Sequence, residues 1–204
     1  MRQPGRARRR FAPATERNRE PILEVLARFV PKEARVLEIA SGSGEHAIFL
    51  SEKLEVASWQ PSDADEGARA SIDAWVSETN ATRVLPAIDL DVTKASWPDV
   101  EANVIVCINM IHISPWAACE GLMRGAREVL APGALLYLYG PYKRDGAHTS
   151  RSNEEFDRSL RGADPEWGVR DLDAVVNEAR SRDLRLEEVI AMPANNLSVL
   201  LRRA

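Results

Sequence analysis

Apolar residues follow two kinds of pattern along this chain. Short runs that are almost wholly apolar, such as 104–108, predict buried β-strands. Longer stretches in which apolar residues recur every three or four positions predict helices, and the first of these follows Thr15 and ends before Pro31. Strands are predicted at 35–40, 56–60, 84–88, 104–108 and 135–139, with a short segment at 93–97, and further helices at 45–54, 65–78 and 117–130.

The order of these elements predicts the fold class. Strands and helices alternate from residue 35 to residue 139, which indicates a parallel sheet with helices on both faces. Residues 140–170 are polar, a helix is predicted at 171–182, and two strands, 186–191 and 197–202, end the chain. We therefore expect an α/β protein with a seven-stranded, mostly parallel sheet and an antiparallel C-terminal hairpin.

Length and composition favour one domain. A chain of 204 residues that is 45% hydrophobic can bury one sizeable core. The first ten residues hold five arginines and no acidic residue, so we expect residues 1–12 to form a basic, disordered tail. A basic arm for phosphate-bearing substrates and a fragment of a targeting sequence are the alternatives. Residues 13–204 then form a single domain, with a lid or substrate loop around 140–170.

Charge and the rarer residue types narrow the function classes. A net charge of −4 disfavours a nucleic-acid or membrane surface, and no segment approaches a membrane span, so we expect a cytoplasmic protein. Cys107 and Cys119 fit reduced core thiols better than a disulfide framework. The three histidines lie far apart without ligand spacing, so no metal site is predicted. The oligomeric state stays open.

A glycine-rich turn separates the first predicted strand from the next helix. Gly42 and Gly44 lack a Cβ, can adopt positive φ and let a ligand approach the main chain at a helix N-terminus. Asp63 lies 21 positions after Gly42, a spacing that suits a carboxylate binding ribose hydroxyls. An N-cap role for Asp63 is possible and compatible with this. The turn therefore predicts a site for a nucleotide-like ligand.

The turn by itself fits two classes of cofactor. Residues 42–47, Gly-Ser-Gly-Glu-His-Ala, also match the dinucleotide pattern G-x-G-x-x-A. A reductase would need a hydride-transfer site, and the candidate pair is Tyr139 with Lys143. Such a pair shares one face of a helix, but Gly140 and Pro141 disfavour a helix between them. We therefore interpret this pair as coincidental.

The order of the motifs resembles the class I S-adenosylmethionine-dependent methyltransferases. Within that class the chain resembles a poorly characterised methyltransferase-like family shared by bacteria and animals. The resemblance covers nearly everything after residue 10 and implies a Rossmann-like fold and S-adenosylmethionine as cofactor, but no particular acceptor. The blocks that carry it are Glu16-Arg17-Asn18-Arg19, Trp59-Gln60-Pro61-Ser62-Asp63, Asn109-Met110-Ile111-His112-Ile113-Ser114-Pro115-Trp116, Asp164-Pro165-Glu166-Trp167-Gly168 and Met192-Pro193-Ala194-Asn195-Asn196.

The resemblance also implies roles for three acidic residues. Glu38 would help to hold the methionine end of the cofactor, and a salt bridge to a neighbour such as Arg35 or Arg17 is the structural alternative. Asp63 would bind the ribose hydroxyls. Asp91 would meet the adenine amine, although Asp89 precedes it on the same loop.

Three further positions complete the predicted cofactor site. Ala40 occupies the place of the first glycine of the methyltransferase motif, and a small residue there still permits a close turn. Arg17 and Asn18, with Glu16 beside them, would close over the cofactor from the leading helix. A solvated charge cluster is the alternative for this group.

Candidate acceptor-side residues follow the fourth predicted strand. Asn109 and His112 lie where open α/β sheets expose catalytic side chains. His112 is a candidate general base, because its unperturbed pKa is about 6.5, with a structural histidine as the alternative. Asn109 is a candidate contact for cofactor or acceptor. The polar segment adds four candidate substrate residues, with a lid-anchoring role open for the tryptophan: Tyr142, Arg161, Trp167 and Arg170.

These observations together predict an enzyme that transfers a methyl group from S-adenosylmethionine to an unidentified small molecule. A non-catalytic S-adenosylmethionine-binding protein, acting as a sensor or interaction partner, is the second hypothesis. An NAD-linked oxidoreductase is the third. The sequence does not distinguish transfer to oxygen, nitrogen or sulfur.

Overall fold

The computed structural model describes residues 9–204, which form two compact units. The first ends at Leu90 and the second begins at Asp91. Residues 1–8, most of the predicted disordered tail, lie outside the described residues. The prediction of a single domain over 13–204 stays a prediction, and each unit is described by itself below.

The first unit is a parallel β-α-β-α-β arrangement behind a leading helix. Strand β1 pairs in parallel with β2, in a register that runs from Arg35 opposite Ser58 to Glu38 opposite Pro61. Strand β2 pairs in parallel with β3. The elements are α1 (Pro13–Phe29), β1 (Arg35–Ile39), α2 (Glu45–Lys53), β2 (Ser58–Asp63), α3 (Glu66–Thr79) and β3 (Ile88–Asp89).

Local sequence signals account for the ends of these helices. Helix α1 has Pro13 in its first turn, where a missing N–H costs nothing, and it ends before Pro31. Its apolar face, Ile22, Val25 and Leu26, is buried. Helix α3 is capped by Asp65, whose Oδ1 accepts a hydrogen bond from Ala68 N at 2.7 Å.

The second unit combines one parallel strand pair with an antiparallel end. Strand β4 pairs in parallel with β5, β5 pairs antiparallel with β9, and β9 pairs antiparallel with β8. A short 3-10 turn, Met110–His112, follows β4. The elements are β4 (Val104–Ile108), α4 (Trp116–Val129), β5 (Leu135–Arg144), β6 (Ala147–His148), α5 (Arg151–Ala163), β7 (Arg170–Asp171), α6 (Leu172–Ser181), β8 (Leu184–Met192) and β9 (Asn196–Arg203).

The predicted fold class is confirmed. Among the described residues, three strands of the first unit and four of the second account for the seven predicted strands, and the two-residue strands β6 and β7 pair beside β5. The C-terminal hairpin is antiparallel as predicted, and the parallel pairs are joined through helices. The protein is an α/β protein of the Rossmann-like type.

Two strand predictions are wrong in their boundaries. Strand β2 is predicted at 56–60 but runs from Ser58 to Asp63, because it pairs with β1 as far as Pro61 and then with β3 through Asp63. The strand expected at 84–88 is reduced to Ile88–Asp89, with Val84 forming only an isolated bridge to Trp59. The 93–97 segment forms turns. Hydrophobic pattern locates a strand, whereas ladder pairing decides where it ends.

The segment 140–170 is not the extended polar loop that the sequence suggests. It contains the end of β5, the short strand β6 and the 13-residue helix α5. Helix α5 buries Asn153 and Asp157 along with Leu160. Leu160 is the one apolar residue among these three buried side chains, so a search for apolar residues at i, i+3, i+4 and i+7 does not find this helix.

The core of the second unit is centred on β5. Residues 135–142 are all buried, and the Tyr137 hydroxyl lies 2.7 Å from Ser198 Oγ on the neighbouring strand β9, which satisfies both hydroxyls. Cys107 and Cys119 both carry buried thiols, as predicted. Helix α4 packs so closely on the segment before β4 that a Cβ on Gly121 would overlap the carbonyl of Val92.

We predict opposite effects on stability when two helical glycines are replaced. Gly121→Ala should lower the free energy of unfolding by about 2–3 kcal/mol, because the added methyl meets the backbone of Val92 and α4 must shift. Gly162→Ala in α5 should raise it by roughly 0.5–1 kcal/mol, because nothing lies within 4 Å of its Cβ position. Urea denaturation measures both variants. Equal effects of the two substitutions would contradict the close packing of α4.

Candidate functional site

The turn between β1 and α2 holds three residues in the left-handed region. The backbone φ angles are 53° at Ala40, 57° at Gly42 and 93° at Gly44. A Cβ on Gly44 would lie 2.9 Å from Ile72 Cα, so this glycine also allows α3 to pack closely. A Cβ on Gly42 would meet nothing within 4 Å. Gly42 therefore presents main chain beside open space, which is what close approach by a ligand requires.

Asp63 links this turn to the end of β2. Its Oδ2 accepts a hydrogen bond from Gly42 N at 2.9 Å, and its Oδ1 accepts one from Asp65 N at 2.9 Å. Each carboxylate oxygen keeps lone-pair capacity for a second donor. The N-cap role that was possible for Asp63 belongs to Asp65, so the carboxylate of Asp63 is directed to the glycine turn instead.

Glu38 is buried near the end of β1, with only 2% of its surface exposed. Its Oε2 accepts a hydrogen bond from Trp59 Nε1 at 3.0 Å. Burial raises the pKa of the Glu38 carboxyl to about 7, although the hydrogen bonds from Trp59 and Ser41 lower it. The salt bridge to Arg35 or Arg17 considered above is not what satisfies Oε2, because that oxygen is held by Trp59. A buried carboxyl with so high a pKa is typical of functional sites.

The leading helix contributes one of its two predicted residues to the interior. Asn18 is buried, and its Oδ1 lies 2.8 Å from Nε2 of His46 at the start of α2. Burial lowers the pKa of His46 to about 4, so the ring is neutral and donates from Nε2. Arg17 and Glu16 are exposed on the other side of α1. The amide of Asn18 therefore fixes α1 against the first turn of α2 and does not point to solvent.

The two candidate acids for the adenine amine differ in their surroundings. Asp91 Oδ1 accepts hydrogen bonds from Thr93 Oγ1 at 2.7 Å and Thr93 N at 2.9 Å, which hold the pKa of the Asp91 carboxyl below its usual range. Asp89 is exposed and pairs with Arg69 at 3.3 Å. Asp91 thus has a fixed orientation, and it stays the preferred candidate.

Asn109, His112 and Gly140 meet at the carboxyl end of β4, beside the middle of β5, where the pairing of these two strands ends. Asn109 has a φ of 64° and accepts, through its carbonyl, a hydrogen bond from His112 N at 3.0 Å. A Cβ on Gly140 would lie 2.5 Å from His112 Nε2 and 3.2 Å from Asn109 Oδ1. The absence of a side chain at Gly140 is therefore what lets the two predicted catalytic side chains sit against the main chain of β5.

His112 is fully buried, and its hydrogen bonds define its tautomer. Nδ1 accepts a hydrogen bond from Arg170 N at 3.3 Å, so the neutral ring carries its hydrogen on Nε2. Burial lowers the pKa of His112 to about 3, and the charge of Arg170 acts in the same direction. Nε2 has no partner among the described residues. His112 is thus a neutral group with one hydrogen to donate.

Tyr142 and Arg170 lie against this histidine. The Tyr142 ring meets the His112 ring edge-on at 5.0 Å and is fully buried, with a hydroxyl that lacks a partner among the described residues. The Arg170 guanidinium donates to three backbone carbonyls, of Ile111 at 2.9 Å, Ser114 at 2.6 Å and Glu166 at 2.7 Å. Arg170 therefore holds the segment after β4 in position, and its donors are largely occupied.

Asp157 organises the other two predicted substrate residues. Its Oδ1 accepts from Val169 N at 2.7 Å, and its Oδ2 lies 3.2 Å from Arg161 Nε. Lys143 Nζ and His148 Nε2 each lie 3.3 Å from the same Oδ2. Burial acts to raise the pKa of the Asp157 carboxyl, but the hydrogen bonds from Val169, Arg161 and Lys143 together hold it below its usual range.

The loop that carries Trp167 is fixed by the same carboxylate. Gly168 donates to the carbonyl of His112 at 2.9 Å, and a Cβ on Gly168 would lie 2.7 Å from Asp157 Oδ1. The Trp167 side chain is half-buried, and the main-chain N–H of Trp167 donates to the Asp164 carbonyl at 3.0 Å. Asp157 was not singled out from the sequence, because α5 itself was not predicted.

Each unit therefore brings together its own set of predicted residues. The first assembles Glu38, Gly42 and Asp63 around the glycine turn, and adds Trp59 and His46, which sequence reasoning missed. A buried tryptophan needs an acceptor for its N–H, and that signal in the Trp59 block could have identified the pair. The second unit assembles Asn109, His112, Tyr142 and Arg170, with Trp167 and Arg161 around Asp157.

Comparison with protein families identifies the chain. It belongs to the family described as "Protein of unknown function (DUF938)", which matches residues 9–203. The chain also shares its fold with many solved structures. Among residues 9–204, no helix combines the length and apolar character needed to cross a membrane.

Three solved structures illustrate the fold similarity. An O-methyltransferase family protein from Burkholderia thailandensis superposes with a TM-score of 0.79 at 15% identity, over 94% of this chain and 57% of that one. The mitomycin 7-O-methyltransferase MmcR gives 0.78 at 14%, over 94% and 54%. An O-methyltransferase family 2 protein from Planctomyces limnophilus, in complex with apigenin, gives 0.75 at 17%, over 94% and 60%.

These likenesses establish the class of fold. The predicted resemblance to class I S-adenosylmethionine-dependent methyltransferases is confirmed, since the similar structures belong to that class. The chain spans little more than half the length of these three proteins. Sequence identities of 14–17% show that the fold is shared, but they do not identify the methyl acceptor of this chain.

We predict that Glu38 makes stability depend on pH. Its folded-state pKa of about 7 lies above the usual 4.5, so the native state binds the proton more tightly than the unfolded chain does. Ionisation of the buried carboxyl therefore destabilises the folded state. This loss of stability is absent below pH 4.5, grows as the pH rises and is complete above pH 7, where it reaches about 3 kcal/mol. Glu38→Gln, which keeps an oxygen for Trp59, should therefore be more stable than the wild type at pH 8.

Urea denaturation at pH 4.5 and pH 8 measures this effect. Glu38→Gln should raise the free energy of unfolding by a large amount at pH 8 and by a small amount at pH 4.5. Glu52→Gln on α2 is a matched control, because Glu52 is exposed. A gain from Glu38→Gln that is the same at both pH values would refute the assignment.

Proposed function

We propose that this protein binds S-adenosylmethionine at the turn between β1 and α2 and transfers its methyl group to a small molecule. The observation that carries the proposal is the open main chain at Gly42, beside a carboxylate of Asp63 that is already oriented by Gly42 N–H. A helix N-terminus and an exposed glycine main chain suit the adenosyl moiety. The similar folds of known methyltransferases support this choice of cofactor over other nucleotides.

Each of the predicted cofactor residues has a proposed role. Asp63 accepts hydrogen bonds from the ribose hydroxyls through the lone pairs that Gly42 and Asp65 leave unused. Glu38 is directed to the methionine end, whose ammonium and sulfonium groups are cationic and would stabilise the ionised carboxylate. Asp91 is proposed for the adenine amine. Asn18 supports the turn through His46, and Arg17 is proposed only as an outer contact.

The acceptor side is proposed to lie at the carboxyl end of β4, beside Gly140 of β5. The cofactor, when bound, supplies an electrophilic methyl group. Asn109 and His112 then orient the acceptor, with His112 as a donor from Nε2 rather than as a general base, because Nδ1 is occupied and the pKa is low. Trp167, Arg161 and the residues around Asp157 are proposed to shape the outer part of the acceptor site. The apigenin-bound relative supports a small-molecule acceptor.

The NAD-linked alternative has little support. Tyr139 and Lys143 both lie on the strand β5, where residues four apart are separated by about 13 Å, too far for a joint role at one hydride-transfer site. Lys143 is paired with Asp157.

The non-catalytic binder differs from the enzyme only in turnover. A screen of metabolites with a labelled methyl donor distinguishes the two.

We predict that Gly42→Ala abolishes binding of S-adenosylhomocysteine without unfolding the protein. The added methyl meets no protein atom within 4 Å, so the loss of stability should be limited to the left-handed φ of 57°, about 1–2 kcal/mol. It would, however, enter the space proposed for the cofactor. Titration calorimetry on the variant and the wild type measures the loss.

Gly133→Ala provides the matched control for this substitution. Gly133 also has a left-handed φ, of 82°, and open space at its Cβ position, but it lies in the turn between α4 and β5. The Gly133→Ala variant should lose a similar amount of stability and keep the affinity of the wild type for S-adenosylhomocysteine. Wild-type protein that binds NADH but neither S-adenosylhomocysteine nor S-adenosylmethionine would overturn the proposed function.

A further inference from the structure

The four residues before α1, Arg9 to Ala12, lie on α3 and on the glycine turn, and we call them the N-terminal arm. They belong to the stretch that the sequence suggests is a disordered tail. The main chain of Arg10 is held on both sides, because its N–H donates to Ser71 Oγ at 2.7 Å and its carbonyl accepts from Trp75 Nε1 at 3.1 Å. Both partners lie on α3.

The hydroxyl of Ser71 joins the N-terminal arm to the glycine turn. It accepts from Arg10 N and donates to the carbonyl of Ser43 at 2.8 Å. Ser43 is the residue between Gly42 and Gly44, and Ser71 is 1% exposed. A buried hydroxyl that bridges two main-chain groups fixes their relative positions, because losing either bond leaves a buried polar atom unsatisfied.

A second connection passes through Glu45. Its Oε2 accepts a hydrogen bond from Ala12 N at 2.6 Å and another from Ser43 Oγ at 2.8 Å. Both the side chain and the carbonyl of Ser43 are therefore tied to groups that also bind the N-terminal arm. The turn and the arm share the same two anchors.

The indole of Trp75 provides the remaining contact surface. The Arg9 guanidinium lies 4.4 Å from its ring centroid and pairs with Glu78 at 2.9 Å. The Phe11 ring meets it edge-on at 5.2 Å. These contacts lie near the surface, so the arm is held by interactions of modest strength and can be displaced without disturbing the core.

We propose that the N-terminal arm positions the glycine turn for the cofactor, so that docking of the arm and binding of the cofactor strengthen each other. The inference rests on the proposed function, because it assigns the arm to the same site. The physical basis is the turn itself, where three residues within five positions adopt positive φ. Ser43 is held by the shared anchors in the conformation that leaves Gly42 open, and a cofactor lying on Gly42 favours that same conformation.

Thermodynamic linkage makes this proposal quantitative. If removal of the N-terminal arm weakens the affinity for S-adenosylhomocysteine by a given factor, then saturating S-adenosylhomocysteine must reduce the undocked fraction of the arm by the same factor. We expect a factor of about ten, within the usual range for coupled sites. A purely structural role of the arm would lower stability but would not produce two equal factors.

The first measurement is calorimetry with S-adenosylhomocysteine on four variants and the wild type. A deletion of residues 1–12 should raise the Kd about tenfold, whereas a deletion of residues 1–8, which keeps the arm, should leave it unchanged. Ser71→Ala should also raise the Kd. Ser51→Ala is its matched control, because Ser51 is a buried serine whose hydroxyl donates to a helix carbonyl, of Ile48 at 3.1 Å, away from the arm.

The second measurement uses the intact chain, so it does not depend on how the deletions fold. Trypsin cuts after Arg9 and Arg10 only when the arm is undocked, and mass spectrometry follows the product that begins at Phe11. Saturating S-adenosylhomocysteine should slow this cut about tenfold, and Ser71→Ala should reduce the protection.

Two outcomes contradict the proposals, and they differ. If the intact chain binds S-adenosylhomocysteine but neither the deletion of residues 1–12 nor Ser71→Ala changes the Kd, or if the ligand does not slow cleavage, only the role of the arm is wrong. If the intact chain binds no S-adenosylhomocysteine, the proposed function fails and the role of the arm fails with it.

Discussion

The hydrogen bond from Gly42 N–H to the carboxylate of Asp63 is the constraint on which the first unit depends. It joins the residues that follow β1 to the last residue of β2 at 2.9 Å, so the carboxyl ends of two neighbouring parallel strands are fixed to each other. The left-handed turn and the close packing of Gly44 on α3 lie directly beside this bond. The same bond orients the carboxylate before any ligand arrives, which reduces the free energy needed to order it on binding.

The buried carboxyl of Glu38 indicates that this end of the sheet was not optimised for stability. Its hydrogen bonds from Trp59 and Ser41 do not compensate for the loss of solvation, so the pKa rises to about 7. A leucine at that position would pack without this penalty. A costly ionisable group beside a strained turn is the arrangement expected where binding or chemistry takes precedence over folding.

In the second unit, polar interactions hold segments that apolar packing does not. The Arg170 guanidinium donates to three carbonyls after β4 and between α5 and β7. The carboxylate of Asp157 accepts from α5, β5 and the loop near Trp167, and it lies 3.3 Å from His148 Nε2 on β6. Between them His112 is neutral and has one hydrogen to donate. A neutral histidine with so low a pKa is a poor group for removing a proton.

The sequence by itself determined the α/β class, the C-terminal hairpin and the glycine turn with its partner Asp63. These follow from local periodicity and from glycines whose conformational freedom is intrinsic. Only the tertiary structure decided that α5 exists, that Trp59 binds Glu38, that Arg170 binds carbonyls and that the residues before α1 lie on Trp75. Each of these depends on polar groups distant in sequence finding one another when water is excluded. Periodicity records only which residues are apolar and how they are spaced, and therefore does not reveal such partnerships.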